Sequence, residues 1–494
     1  MKYKSTRGEG IKINSAEAII RGLAADGGLF VPDSMPKINN DFIKELLPLS
    51  YEERAYSILK LFLTDYTAEE IKSCVTKAYG NNKFDDKKCA PVTIFADCSV
   101  LELWHGPTSA FKDMALQLLP QLMSTALVKT GEKDDILILV ATSGDTGKAA
   151  LEGFRDVDKI KIMVFYPEGG VSKIQGLQML TQEGKNVNVT AVRGNFDDAQ
   201  SGVKKIFSDT DFNEKLLEQG VKLSSANSIN WGRLVPQIVY YFSAYADLLQ
   251  AGKINLGDEI NFSVPTGNFG NILAGFYAKQ MGLPVHKLIC ASNANNVLTD
   301  FLHTGVYDRN REFFKTITPS MDILISSNLE RLLYYMSDSE QVAKFMQELQ
   351  TTGKYDVGSK ILAKIQKAFW ADWASDSDTK DLIQEVYRDK NYIADTHTAV
   401  AWKVAKNYQQ ATGDKHYTVV VSTASPYKFN GSVLAALNID TAGLDEFGLL
   451  DKLATVNSSP IPKGLGSLRH KQIIHKDVCD SDKMAASVLA YCSK

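Results

Sequence analysis

One feature constrains this chain above all others. From about residue 131 it alternates, again and again, between short β-rich runs and stretches of helical character. DILILVAT (135–142) precedes GDTGKAALEGFR, IKIMVFYP (160–167) precedes VSKIQGLQMLTQEG, and NVNVTAVRG (186–194) precedes FDDAQSGVKKIFSD. The alternation resumes with VKLSSAN (221–227) before a long helix, WGRLVPQIVYYFSAYADLL. INFSVPT (260–266) then leads to FGNILAGFYAKQMG, HKLICASN (286–293) to a further helix, and YTVVVST (417–423) to YKFNGSVLAAL. Strands separated by helices are the pattern of βαβ units, so an α/β fold with parallel sheet is predicted.

The rest of the chain is read around that frame. Residues 1–90 read as an α-rich N-terminal unit, with helical periodicity over 41–62 and 67–79 and an apolar turn at GLAADGGLFVPDSMP (22–36). Residues 91–445 read as the α/β region, in two lobes, with a polar helical insertion over about 320–390. The tail, 446–494, carries no motif. A length of 494 residues is compatible with about three domains, and a hydrophobic content of 44% is ample for a large core.

Charge and composition exclude several classes. With 55 basic and 58 acidic residues the net charge is −3, which argues against a nucleic-acid or anionic-membrane binder. No apolar run reaches a membrane span. The start, MKYKSTRGEGIKINSAEAII, has no signal-peptide stretch, so a cytoplasmic location is expected. The six cysteines form no CxxC pair and the seven histidines show no HExxH spacing, so no metal site is expected.

In open α/β sheets ligands bind where strands end, and three such ends carry unusual loops. ATSGDTGKAA (141–150) offers small residues, hydroxyls and Lys148 at a strand-to-helix junction suited to an anion. It is not a P-loop: Thr142 stands where the first Gly belongs and Ala149 follows Lys148. An ordinary turn capped by Asp145 or Ser143 explains it as well. VPTGNFGNILAG (264–275) sets Gly267 and Gly270 around Asn268 and Phe269; its amides suit a phosphate, and a plain turn fits equally. VSTASPYKFNG (421–431) offers hydroxyls that also fill turns routinely. Ahead of these, LELWHGPTSAFKDMALQLL (101–119) places Lys112 at the start of an apolar helix. There the helix field and partial burial would lower the pKa of its amine. A solvated surface lysine is the competing reading.

These segments together resemble threonine synthases, a family dependent on pyridoxal 5′-phosphate. HGPTSAFKD resembles the family's lysine-bearing segment. SGDTGKAA, VPTGNFGN, STASPYKF, STRG with GLAADGGLFVP, SSANSINWGRLVPQIVYYF and SMDILISSNLERLLYY resemble further segments, in family order from about residue 3 to 440. STASP stands where many relatives have STAHP, and Asp395-Thr396 where relatives often have Asp-Pro.

The resemblance implies the tryptophan synthase β-subunit type of fold (fold type II), with an added N-terminal domain and helical insertion. It implies Lys112 as the residue holding the cofactor as a Schiff base. Gly267, Asn268, Phe269, Gly270 and Asn271 would bind the cofactor phosphate, and Thr423 would face the ring nitrogen. The implied reaction converts O-phospho-L-homoserine and water to L-threonine and phosphate, by γ-elimination and β-addition of water, at the end of threonine biosynthesis. Such a substrate carries two anions. Ser143, Asp145, Thr146 and Lys148 are candidates for one and Asn230 and Arg233 for the other, with the assignment between loops left open. A monomer or homodimer is expected. Two alternatives are a dehydratase of the same fold, needing no second anion site, and a non-catalytic metabolite-binding relative.

Overall fold

The computed structural model describes residues 1–494 except Glu9, Asn81, Ser143 and Lys494. Two sheets form its frame. The larger has six strands in the order Phe369–Trp373, Val285–Ser292, Ile260–Pro265, Tyr417–Ser422, Cys98–Glu102, Val92–Ile94. All neighbours run parallel except the last pair, which is antiparallel. The smaller has five parallel strands in the order Asp477–Asp480, Val187–Arg193, Ile160–Pro167, Asp135–Ala141, Val221–Ser224. Their central strands, Ile260–Pro265 and Ile160–Pro167, are buried almost throughout because helices cover both faces, as parallel sheet demands.

The two-lobe α/β architecture matches the expectation, with three differences. Sheet begins earlier than residue 131: Cys98–Glu102, every residue buried, is an inner strand of the larger sheet. Its CSVLE run is too short to announce itself beside the turn that follows. Nor is the 320–390 region purely helical. Phe369–Trp373 is the far edge strand of the larger sheet, and Lys354–Asp356 pairs with Val306–Asp308. FWADW has the aromatic, alternating character of a strand but lies between two polar helices, Gly358–Ala368 and Asp376–Lys390. Finally, the tail is part of the fold: Asp477–Asp480 pairs with Val187–Arg193, and the helix Met484–Cys492 packs on that lobe.

The N-terminal unit is helical as read, but 41–62 contains two helices, Asn40–Leu46 and Tyr51–Leu59. The break falls at Pro48 and Ser50, where Ser50 and Glu53 form a capping box that starts a helix afresh. This unit is sewn to the long helix Trp231–Gln250. Arg54, 5% exposed, reaches Asp247 at 2.6 Å and the Ser243 hydroxyl at 2.9 Å. Tyr3 and Phe62 pack on Trp231. That helix is buried nearly all round, which marks it as a central pillar. Its first turn presents Arg233.

Candidate active site

Lys112 is carried by a loop held in place at both ends. The loop leaves the strand Cys98–Glu102 and folds back at Gly106, where Ser109 N donates to the Gly106 carbonyl at 3.0 Å. Asp113 closes it, accepting from Thr108 N and the Thr108 hydroxyl, each at 2.8 Å. A Cβ on residue 106 would stand 2.5 Å from the Asp113 Cβ, so the closure requires glycine. On the other side the loop is clipped to the end of Tyr417–Ser422. Ala110 bridges Ala424, Phe111 N donates to the Thr423 carbonyl at 2.8 Å, and Ser425 N donates to the Ser109 carbonyl at 3.1 Å. Phe111, the residue before Lys112, and Thr423, more than three hundred residues apart in sequence, are thereby joined by one hydrogen bond.

The electrostatics follow from burial. Loss of water lowers the Lys112 amine to about 8; Asp145 opposes the shift, and the cations Arg233 and Lys428 add to it. The helix field expected from the sequence is minor, because the helix after Lys112 spans only Asp113–Leu116. Burial likewise pushes the Asp113 carboxyl up to about 6 against its two bonds from Thr108. Burial alone would raise the Asp145 carboxyl too. Lys428 and Lys112, with bonds from Lys428 and Gln175, instead hold it well below the usual carboxylate range. Lys428 reaches Asp145 at 2.6 Å and the Thr108 carbonyl at 2.9 Å.

The loop 267–271 is a cradle of free donors. Asn268 is exposed, and Phe269 takes a left-handed φ of 63° while its ring packs on Phe369. The amides of residues 267–269 enter no backbone hydrogen bond. Those of the first turn of Gly270–Met281 are unpaired, as at every helix start. Asn271 accepts at Oδ1 from the Tyr240 hydroxyl at 2.6 Å and the Tyr241 hydroxyl at 2.8 Å. Its Nδ2 is buried with no partner. Gly267 is needed for a reason other than ligand approach: a Cβ there would lie 2.8 Å from the Ser320 carbonyl oxygen. Ser320 is itself fixed, its N–H donating at 3.2 Å to His397 Nε2, whose Nδ1 faces Asp395 at 3.1 Å.

The second-anion candidates separate. Arg233 is 5% exposed, donates from Nη1 to the Ala226 carbonyl at 2.9 Å, and leaves Nε without a partner. Burial is the sole influence on it, lowering it to about 10; no carboxylate pairs with it among the described residues. Three other candidates have their side chains engaged within the protein. Asn230 spends its side chain on structure: Nδ2 donates to the Ile19 and Ser225 carbonyls and Oδ1 caps Gly232 N at 2.8 Å. Lys148 is turned inward, 3.2 Å from Glu152 and bonded to Gln182. Asp145 is an ionised carboxylate paired with Lys428, which repels an anion. Thr146 is half-buried in the first turn of the helix Asp145–Phe154. Ser143 lies outside the described residues.

Lys428, Asp113 and Gln175 were not singled out from the sequence. Lys428 was in view within STASPYKF, but a lysine in a polar turn gives no sign that it will be fully buried.

Three family models cover most of the chain: Threonine synthase N terminus over residues 2–79, Pyridoxal-phosphate dependent enzyme over 100–367, and Threonine synthase, C-terminal over 398–471. With a buried amine, an amide cradle and an orphaned Asn271 donor at the strand ends, they define a pyridoxal-phosphate-dependent α/β enzyme. The threonine synthase of Schizosaccharomyces pombe is 37% identical, over 92% of this chain and 94% of its own. That of Pseudomonas aeruginosa is 39% identical, over 88% and 90%. The crystal structure of PLP-bound threonine synthase from Brucella melitensis superposes with a TM-score of 0.88 at 36% identity, covering both chains fully. The chain belongs to the threonine synthase family. It also spans about three fifths of the human protein called threonine synthase-like 1, with 42% identity over 90% of this chain and 61% of that one.

Proposed function

We propose that this chain is a threonine synthase, converting O-phospho-L-homoserine and water to L-threonine and phosphate. The observation that carries the reading is Arg233: a buried guanidinium with no carboxylate, within electrostatic reach of Lys112. A buried cation left unpaired is costly unless an anion completes it, and this substrate brings both a carboxylate and a phosphate.

The residues fit the cofactor. Lys112 would hold its aldehyde carbon, the 267–271 amides and Asn271 Nδ2 its phosphate, and Thr423 would stand at its ring nitrogen. When bound, pyridoxal phosphate supplies an electron sink for carbanion character next to the substrate nitrogen. The protein does the rest. An amine poised near neutrality both accepts and returns protons, so Lys112 would take the Cα proton and one Cβ proton as phosphate leaves Cγ, and would return protons to Cγ, which becomes the methyl group, and to Cα. Arg233 fixes one substrate anion. Asp145, kept ionised by Lys428, holds positive charge close to the reacting nitrogen. A water then adds at Cβ. We read the enzyme as cytoplasmic, working as a monomer or homodimer.

The test is product analysis. Phosphate release from phosphohomoserine with stoichiometric threonine supports the reading. Keto acid from serine or threonine without phosphate release replaces it with a dehydratase.

A further inference from the structure

A second group of ligating side chains lies at the amino edge of the larger sheet, the opposite end of the strands from Lys112. Three adjacent parallel strands begin there: Val285–Ser292, Ile260–Pro265 and Tyr417–Ser422. Ile260 is in register with both Val285 and Tyr417, so Glu259 and His416, each one residue earlier, stand side by side. His286 sits inside a register shift between Val285 and Leu288, and such bulges re-aim a side chain. The imidazoles of His286 and His416 lie parallel, with centroids 3.8 Å apart and planes 12° apart. One ligand atom each from Glu259, His286 and His416 can be chosen so that all three lie within 4.8 Å of one another.

The surroundings favour nitrogen lone pairs facing outward. His416 Nδ1 donates to Asp414 Oδ1 at 2.5 Å, while Asn261 Nδ2 holds the other Asp414 oxygen at 2.8 Å. A carboxylate on one ring nitrogen fixes the tautomer and leaves Nε2 as a ligand, the usual arrangement around metal-binding histidines. His286 Nδ1 is 3.4 Å from Glu259 Oε2. All three side chains are partly open to solvent, at 51%, 31% and 38% for Glu259, His286 and His416, so an ion has access and the groups have room to close on it.

We propose that Glu259, His286 and His416 form a binding site for a zinc-like divalent transition ion, with Asp414 orienting His416 from behind. Two imidazoles and one carboxylate suit zinc and its neighbours and not calcium or magnesium, which demand oxygen. Tetrahedral zinc sets such ligands about 3.3 Å apart, a closure that rotamer changes of exposed side chains can supply. Water takes the fourth position. Lys279, bonded to the Val285 and His286 carbonyls, lies near Glu259 and moderates the affinity. The ion would pin the starts of three strands and take no part in chemistry at their other ends.

The experiment is a Zn²⁺ titration of the cofactor-saturated protein against a chromogenic chelator, paired with thermal melts. The wild type is expected to take up one equivalent at micromolar concentration and to melt higher with Zn²⁺ than without. Glu259→Gln and the His286→Ala/His416→Ala pair should each bind at least tenfold more weakly and lose the melting shift. Asp414→Asn should weaken binding by roughly ten- to a hundredfold. The single surface change Glu259→Gln keeps the test valid if the double variant folds poorly. No uptake by the wild type below about 100 µM overturns the proposal. So does equal uptake by wild type and Glu259→Gln, since the ion would then reside on the cofactor or on cysteines.

Discussion

Two loops of this protein look alike in sequence and differ in what they leave undone. Both follow a strand, are rich in small residues and open a helix. Among its described residues, the 142–148 loop bonds much of its polar chemistry to its own neighbours. The Thr142 hydroxyl accepts from Gly144 N and Gly147 N, each at 3.0 Å, Asp145 is paired with Lys428, and Lys148 with Glu152. The 267–271 loop does the opposite, leaving its amides bare and Asn271 Nδ2 unpartnered. Buried polar groups are almost always bonded, so a cluster of unbonded donors marks where a ligand belongs.

The deepest break removes what both loops surround. Lys112→Ala should cut turnover by roughly a thousandfold or more and abolish the borohydride-reducible lysine adduct, while cofactor still binds weakly through the cradle. An adduct that persists would assign the attachment to another lysine.

Next comes the contrast between the two cations. Arg233→Ala should lower kcat/KM for phosphohomoserine by roughly ten- to a hundredfold, the worth of one or two charge-assisted bonds, with the cofactor spectrum intact. Lys148→Ala should change kcat/KM little but lower stability by about 1–3 kcal/mol, because Glu152 loses its nearer cation and keeps only Arg155 at 3.6 Å and the Gln182 amide at 3.0 Å. Steady-state kinetics and denaturant melts of both variants distinguish the roles; equal kinetic losses would put Lys148 back in the pocket.

A smaller effect separates the two glycines. Gly267→Val should destabilise the cofactor-free protein by about 1–3 kcal/mol, because its Cβ would meet the Ser320 carbonyl at 2.8 Å. Gly270→Ala meets nothing closer than 3.5 Å and should leave that melt unchanged. A Gly267→Val protein that melts like the wild type would show that the 320 segment yields.

The mildest test uses pH alone. Only the neutral amine captures the cofactor, and the neutral fraction grows as pH rises through the pKa. With Lys112 at about 8 against an ordinary 10.5, the capture rate should climb about tenfold per pH unit below 8 and level off above it. Stopped-flow absorbance of the cofactor-free protein follows this directly. A rate still climbing at pH 10 would mean that the amine is solvated.

Much of this was legible in the sequence, for identifiable reasons. The seven strand–helix alternations are local patterns, and all seven strands are present. Lys112, the 267–271 loop and Thr423 lie in strand-end loops, which periodicity locates. What escaped depends on distant partners. Nothing in SINWGR says that Asn230 will cap its own helix and bind Ile19, or that Lys148 will find Gln182. FWADW became an edge strand because Val285–Ser292 had an open side for it. The Glu259–His286–His416 cluster has no spacing signature at all, since its ligands meet only through the register of three strands.

The placement of Asp477–Asp480 has a consequence for how the polypeptide is made. It lines the edge of Val187–Arg193, and Arg193 and Asp480, which pair at 3.1 Å, are 287 residues apart. At roughly 5–20 residues per second, the ribosome needs on the order of 15–60 s to deliver the second after the first. For that interval the smaller lobe is a four-stranded sheet with an unprotected edge, open to pairing with other nascent chains. Its sequence there, VNVTAVR, ends in a charged residue that discourages such pairing. Chaperone demand during synthesis should therefore concentrate on this lobe, and fall only when the closing strand emerges.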